Sequence, residues 1–395
     1  MKVVLVGYGS RGDIEPLAAT ARELLRRGHE VRMAVPPNML GFVEPVGLTA
    51  VAYGPDSREA MNPAMDFIRD LPAKMQNPVG MLTEVIENVS RVKAGKSSTL
   101  TELASGADLL VAGFNEQGVA ANVADYHGIP LAALHFFPTR IWASGELALG
   151  ITKQTDDAQR PVLGLSEATE PSTTLEIQAY DELCLPGPAA EWLEPDGQRR
   201  PFVGALTLEL PGDADDEVLS WIAEGTPPIY FGFGSTPIVS PAETVAVISA
   251  ACARLGERAL ICSGANDFAD VPHFHNVKVV GEVNHAAIFP ACRAVVHHGG
   301  AGATAAGMRA GIPTLILWFW LDQPIWAEGL TRLKTGAGRQ FHASTLDSLV
   351  ADLRCILAPE YATRAREVAG KMTKSAASVV TVADLLEETA RLRVG

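Results

Sequence analysis

Two short stretches hold the residue types from which a group-transfer site could be built. The first is Gly9-Ser10-Arg11-Gly12-Asp13, with Glu15-Pro16 close behind. The second runs from Cys292 to Pro324, CRAVVHHGGAGATAAGMRAGIPTLILWFWLDQP. It opens on a strand-like run, Ala294-Val295-Val296, and passes through His297-His298 into Gly299, Gly300 and Gly302. Ala303 to Ala310 reads as a helix stopped by Gly311 and Pro313. A further apolar run, Thr314 to Leu321, ends at Asp322-Gln323-Pro324. Glycines let a ligand approach the backbone closely. The first N–H groups of a helix lack internal partners and, with the helix dipole, form an anion site. The acid–amide pair falls at the carboxyl end of the next parallel strand, the edge where open α/β sheets bind ligands. Phosphate held at one turn and hydroxyls held at the next describe a nucleotide sugar.

His297-His298-Gly299-Gly300-Ala301-Gly302-Ala303-Thr304, followed by Asp322-Gln323-Pro324, resembles the donor-binding segment of GT-B glycosyltransferases. The nearest subgroup makes antibiotic, sterol and mycobacterial lipid glycosides. Ala303 stands where that subgroup commonly has Thr, which removes one hydroxyl contact to phosphate and leaves Thr304 and the backbone N–H groups. Gly9-Ser10-Arg11-Gly12-Asp13 with Pro16 resembles the N-terminal loop of the same enzymes. Two such segments in the right order are more specific than either alone.

The resemblance implies an inverting enzyme that moves a hexose or deoxyhexose from a nucleotide diphosphate sugar to a hydroxyl of a lipophilic acceptor. Asp13 would be the base. An aspartate, with its pKa of about 3.9, works late, as the forming C–O bond acidifies the hydroxyl. Donor contacts would come from Ser10, Arg11, Ser235, Val283, His298, Gly300, Gly302, Ala303, Thr304, Asp322 and Gln323. Val283 would meet the base, His297 would support the loop, and no cofactor or metal is implied. His135, Phe136 and Phe137 close a first-domain strand and suit an apolar acceptor. So do the methionines Met61, Met65, Met75 and Met81, whose flexible side chains fit variable ligands. These aromatics and methionines read equally as core filling.

Other readings stay in view. Gly7-x-Gly9-x-x-Gly12 fits a dinucleotide fingerprint, but the second strand ends in Pro36-Pro37 without the acid that would hold a ribose. Asp13 could simply cap the helix that follows. His297-His298 could bind metal, but adjacent histidines point apart and no third ligand is evident. Asp213-Ala214-Asp215-Asp216 reads as a helix cap with an acidic first turn. A nucleotide-sugar epimerase or hydrolase of the same fold, or a non-catalytic binding module, are the rival functions.

The elements that must position these residues follow from the rhythm. Val3–Val6, a helix from Pro16 to Arg27 and a strand Val31–Val35 make a βαβ unit. The rhythm resumes at Asp108–Ala112, and again at Ile229, with a helix from Pro241 to Leu255 and strands Ala259–Cys262 and Val277–Val280. We expect an α/β chain of two Rossmann-like domains facing a cleft. The first, residues 1–204, takes the acceptor; 205–227 link it to 228–375, which take the donor; and a helix from 376 crosses back. Residues 55–105 look irregular, broken by Pro63, Pro72 and Pro78.

Composition bounds the partners. The 395 residues are 47% hydrophobic and 20% charged, a globular balance. A net charge of −14 and no basic cluster argue against nucleic acid. Five scattered cysteines and no signal core read as reduced thiols in a cytoplasmic monomer or homodimer. The longest apolar run is too short to span a bilayer, and a peripheral membrane contact stays open.

Overall fold

A computed structural model describes residues 1–59, 78–138, 153–166, 173–185, 200–238, 240–264, 266–268, 271–320 and 322–391. The chain gathers into two compact units. One comprises Met1–Ala179, Leu193–Leu206 and Ser375–Gly395, the other Tyr180–Trp192 and Thr207–Lys374.

The first unit is built on six parallel strands: β1 (Lys2–Val6), β2 (Glu30–Val35), β3 (Thr49–Ala52), β4 (Leu109–Gly113), β5 (Leu131–His135) and β6 (Thr173–Gln178). Their order is β3-β2-β1-β4-β5-β6, with Val3 opposite both Val31 and Leu109. The second unit repeats the plan with β7 (Ile229–Gly232), β8 (Ala259–Cys262), β9 (Val277–Val280), β10 (Ala294–His297), β11 (Thr314–Trp318) and β12 (Gly336–Gln340). Its order is β12-β11-β10-β7-β8-β9, the same sequence of neighbours counted from its own first strand. Central strands covered by helices on both faces need continuous apolar runs, and β1, β4, β7, β8 and β10 are buried throughout apart from Lys2. In each sheet the order reverses beside the first strand, between β1 and β4 and between β7 and β10. There the following loops diverge and leave a crevice at the carboxyl edge.

Several boundaries differ from the sequence expectation. The first helix is Arg11–Arg26, not Pro16 onward, because Ser10 is its N-cap and Pro16 lies within it. The stretch expected to be irregular contains the helix Pro78–Leu103. Pro78 starts that helix, where a missing N–H costs nothing. Its low-propensity sequence is carried by packing on the helix Gln117–His127. Of the stretch 205–227, the part from Thr207 onward falls in the second unit, where helix Asp215–Ala223 buries Val218 and Ile222 in the core. Tyr180–Trp192 also belongs to the second unit. There Asp181 accepts from the N–H and hydroxyl of Thr373, both at 2.7 Å, and Arg332 donates to the Leu183 and Leu185 carbonyls.

The C-terminal helix Ser375–Arg391 packs in the first unit on Arg11–Arg26. Arg27 reaches Asp384 at 2.7 Å and Glu387 at 3.2 Å, and His29 meets Glu387 at 2.9 Å. Among the described residues no helix is long and apolar enough to cross a membrane. All five cysteines are unbridged; Cys184, Cys252, Cys262 and Cys292 are buried and Cys355 is exposed. Burial pushes the Cys184, Cys252 and Cys292 thiols up to about 12.

Candidate active site

The second unit's crevice is lined by the loops after β7 and β10. The helix Ala301–Ala310 starts at Gly300, and the first intrahelical bond runs from the Thr304 N–H to the Gly300 carbonyl. The N–H groups of Ala301, Gly302 and Ala303 therefore have no intrahelical partner. The turn before them is held by His297, whose Nδ1 accepts from the Gly299 N–H at 2.9 Å. That contact places the ring proton on Nε2, which is buried without a partner. Burial holds His297 well below its ordinary pKa. It pushes His298 down to about 4, against a weaker upward pull from the Gly232 carbonyl. Both imidazoles are neutral at pH 7. Their planes stand at 81° and their centroids 6.3 Å apart, so they diverge.

Glycines make this approach feasible. Gly234 has φ +58, and a Cβ there would come 2.8 Å from His298 Cε1; one at Gly300 would come 2.8 Å from its Nε2. The His298 ring is thus wedged between the two loops. Gly299, at φ +99, lies against Ile316 and Gln323. Ser235 is exposed on the β7 loop. Asn266 had escaped the sequence reading. Its Oδ1 accepts from the Ile238 N–H at 2.7 Å and its Nδ2 donates to the Thr236 and Ser263 carbonyls. It pins the β7 loop to the β8 loop, a role that only proximity in space reveals.

Thr304 sits in the first turn of the helix Ala301–Ala310. Its buried hydroxyl donates to the Gly300 carbonyl at 2.9 Å, back along its own helix. The donors left without an intrahelical partner at this helix start are the backbone N–H groups of residues 301–303. The Asp322-Gln323 pair opens the helix Gln323–Leu333. Gln323 Oε1 accepts from the N–H groups of Phe319 and Trp320, at 2.7 and 3.3 Å. Those bonds end β11 at Trp318, short of the expected Leu321, and commit the amide oxygen. Asp322 Oδ2 accepts from the Trp326 indole N–H at 2.6 Å, and burial pushes its pKa up to about 6. Val283 is buried in the loop after β9. Asp215 fixes that loop: it accepts from the Asn284 N–H at 2.9 Å and the Gly212 N–H at 2.7 Å. Among the described residues no group of three His, Cys, Asp or Glu side chains gathers as a metal site.

In the first unit Asp13 sits in the opening turn of Arg11–Arg26, after β1. Its Oδ2 accepts from the Ser10 N–H at 2.6 Å and the Ser10 hydroxyl at 3.0 Å. This is a capping-box arrangement, so Asp13 has a structural part whatever else it does. A Cβ at Gly9, φ +140, would fall 2.3 Å from that carboxylate oxygen, so only glycine leaves it room. The Ser10 hydroxyl is engaged with Asp13, and Arg11 pairs with Glu15 at 2.8 Å and lies over the Phe42 ring. Phe136 is buried and Phe137 less so; Phe137 meets Phe114 edge-on at 4.9 Å, joining the loops after β4 and β5. His135 ends β5, buried, with Gln117 at 3.5 Å. Met61, Met65 and Met75 lie outside the described residues; Met81 lies in the helix Pro78–Leu103.

The chain is similar to known glycosyltransferases. Residues 3–96 match the glycosyltransferase family 28 N-terminal domain, and residues 249–389 the erythromycin biosynthesis protein CIII-like C-terminal domain. An uncharacterized glycosyltransferase of Mycobacterium tuberculosis is 57% identical over 420 residues, covering 99% of each chain. The vancomycin aglycone glucosyltransferase of Amycolatopsis orientalis is 30% identical over 409 residues, covering 96% of each. The crystal structure of the glycosyltransferase VinC in complex with dTDP shares the fold, with a TM-score of 0.67 at 20% identity, over 97% of this chain and 100% of that one.

Proposed function

The chain belongs to the GT-B glycosyltransferases, and from that premise we propose an inverting transfer of a hexose or deoxyhexose onto a lipophilic alcohol. The observation that carries the proposal is the second unit's crevice. Three unpartnered helical N–H groups stand beside a neutral imidazole, with the half-buried Asp322 and buried Gln323 opening the next helix. This arrangement offers donors to a diphosphate and acceptors to sugar hydroxyls.

In the proposed reaction Asp13 accepts the proton of the acceptor hydroxyl. The acceptor oxygen bonds to the anomeric carbon from the face opposite the diphosphate, and the bond from that carbon to the phosphate oxygen breaks. The nucleoside diphosphate departs with the electron pair, its growing charge met by the N–H groups of residues 301–303 and by His298. Asp322 accepts from sugar hydroxyls, and the Gln323 amide nitrogen, whose partner oxygen is committed, donates to one. Phe136 and Phe137 offer an apolar surface to the acceptor. The VinC complex makes a thymidine diphosphate sugar a natural first donor to try, and the vancomycin relative makes glucose a natural sugar.

A panel of UDP- and TDP-sugars screened by thermal shift should single out the donor, since a ligand stabilises by mass action. The chosen donor and a set of lipophilic alcohols then go into a transfer assay, with the product's anomeric configuration read by NMR. Retained configuration would overturn the inverting mechanism. Activity that collapses in EDTA and returns with magnesium or manganese would overturn phosphate binding by N–H groups and imidazole alone.

A further inference from the structure

The first unit's crevice holds a buried polar cluster that the proposed chemistry leaves unused. Lys96, on the helix Pro78–Leu103, and Glu116, in the loop after β4, are 6% and 2% exposed. Lys96 Nζ donates to Glu116 Oε1 at 2.7 Å, and the Tyr53 hydroxyl donates to Oε2 at 2.5 Å. The same ammonium lies 3.4 Å from the centroid of the Tyr8 ring. Gly54, at φ +69, leaves room for this contact: a Cβ there would come 2.7 Å from Lys96 Cε and 3.2 Å from Tyr8 Cε2.

Tyr8 and Gly9 form the turn between β1 and the helix that carries Asp13. That turn is gripped from three elements. Asn115 Nδ2 donates to the Tyr8 carbonyl at 3.1 Å. The Ser57 hydroxyl, itself held by Asn38, donates to the Gly9 carbonyl at 2.7 Å. Lys96 holds the Tyr8 ring. A buried ion pair is a poor stabiliser, because desolvating two charges offsets their attraction. A desolvated ammonium facing an aromatic ring is, in contrast, a strong directional contact.

We infer that Lys96 is a positioning residue for the transfer step: its ammonium fixes Tyr8, and through Tyr8 the turn that aims Asp13, from the helix Pro78–Leu103. The catalytic half of this inference rests on the transferase reading; the structural half does not.

Lys96→Met alone would strand the Glu116 charge in the interior and could prevent folding. The informative comparison is wild type, which keeps the ammonium in its pair, against Lys96→Met/Glu116→Gln, which removes both charges and strands neither. Amide hydrogen exchange is followed at Ser10, Asp13 and Ile14 and at strand amides of the second unit, beside kcat and the donor dissociation constant. Removing the ammonium should speed exchange at the turn and lower kcat, each about tenfold, the size of a desolvated cation–ring contact. Exchange in the second unit and donor affinity should stay unchanged. Equal exchange at the turn in wild type and the double variant overturns the inference, whether or not the protein transfers sugar. Faster exchange with unchanged kcat overturns the positioning role. A wild-type chain that transfers nothing, with exchange accelerated as expected, sinks the transferase reading and leaves the grip on the turn standing.

Discussion

The two units share one strand order and treat the crevice at its reversal in opposite ways. In the first, the loop after β4 sends in Glu116, which Lys96 and Tyr53 neutralise and satisfy. In the second, the loop after β10 occupies the equivalent place and presents His298, neutral and wedged between glycines. The helix after β1 carries an acid, Asp13, in its first turn; the helix after β10 opens with none. A diphosphate would meet the Asp13 carboxylate on the first side and N–H donors on the second. Topology thus offers two equivalent places, and on the proposed reading side-chain charge directs the phosphate to the second.

The largest expected effect tests the first side. Asp13→Asn keeps an oxygen for the Ser10 contacts, so the helix should stay capped and the melting temperature nearly constant. Loss of the proton acceptor should slow single-turnover transfer by about 10²–10⁴. Transfer within a few-fold of wild type would leave Asp13 as a cap alone. A loss of donor affinity instead of rate would break the comparison itself.

His298→Ala tests the second side. A hydrogen bond to a charged phosphate is worth about 1.5–3 kcal/mol, so the donor should bind roughly 10- to 150-fold more weakly by calorimetry. Unchanged affinity would make His298 a spacer between two glycine loops.

Asp322 gives the comparison a pH signature. Its pKa, raised from 3.8 to about 6 by burial, means that the folded chain keeps this proton between those values while the unfolded chain has lost it. Its contribution to stability therefore falls as pH rises through that window and is least favourable above 6. Sugar hydroxyls that donate to the ionised carboxylate reverse part of that penalty. Donor affinity should rise about tenfold from pH 5 to pH 7. A rise of the same size in Asp322→Asn would assign it to another group.

The smallest effect concerns loop order. Asn266→Ala removes the clamp between the loops after β7 and β8, and each such bond is worth about 1 kcal/mol. Donor affinity should fall about fivefold with kcat nearly constant. A fall as large as that of His298→Ala would mean the β7 loop cannot hold its shape alone.

Much of this was legible in the sequence, for local reasons. The runs Val3–Val6 and Ala294–Val296 are apolar enough to be central strands only, and the glycines after them mark close backbone approach. What escaped depends in part on contacts between distant residues and in part on local hydrogen bonds that a motif does not show. The helix Pro78–Leu103 has two glycines and many Ser and Thr residues, so its propensity is poor and its packing partner lies past Glu116. The early end of β11 follows from a single buried amide, Gln323. The Thr304 hydroxyl bonds back to the Gly300 carbonyl, a contact that helix geometry makes and the motif does not show. Lys96 and Glu116 lie on different elements, and nothing in either neighbourhood announces that they are buried together.

The arrangement of thiols has a practical side. Four of the five are out of reach of solvent, and three of those stay protonated far above neutral pH. Cys355 alone is exposed, near the end of the helix Leu346–Ile356 and 3.4 Å from the Tyr361 hydroxyl. A maleimide dye added to the folded protein would accordingly settle on one address without any engineering. That makes the second unit a ready-labelled reporter: fluorescence anisotropy or energy transfer from a dyed acceptor could follow the enzyme at work in its native sequence.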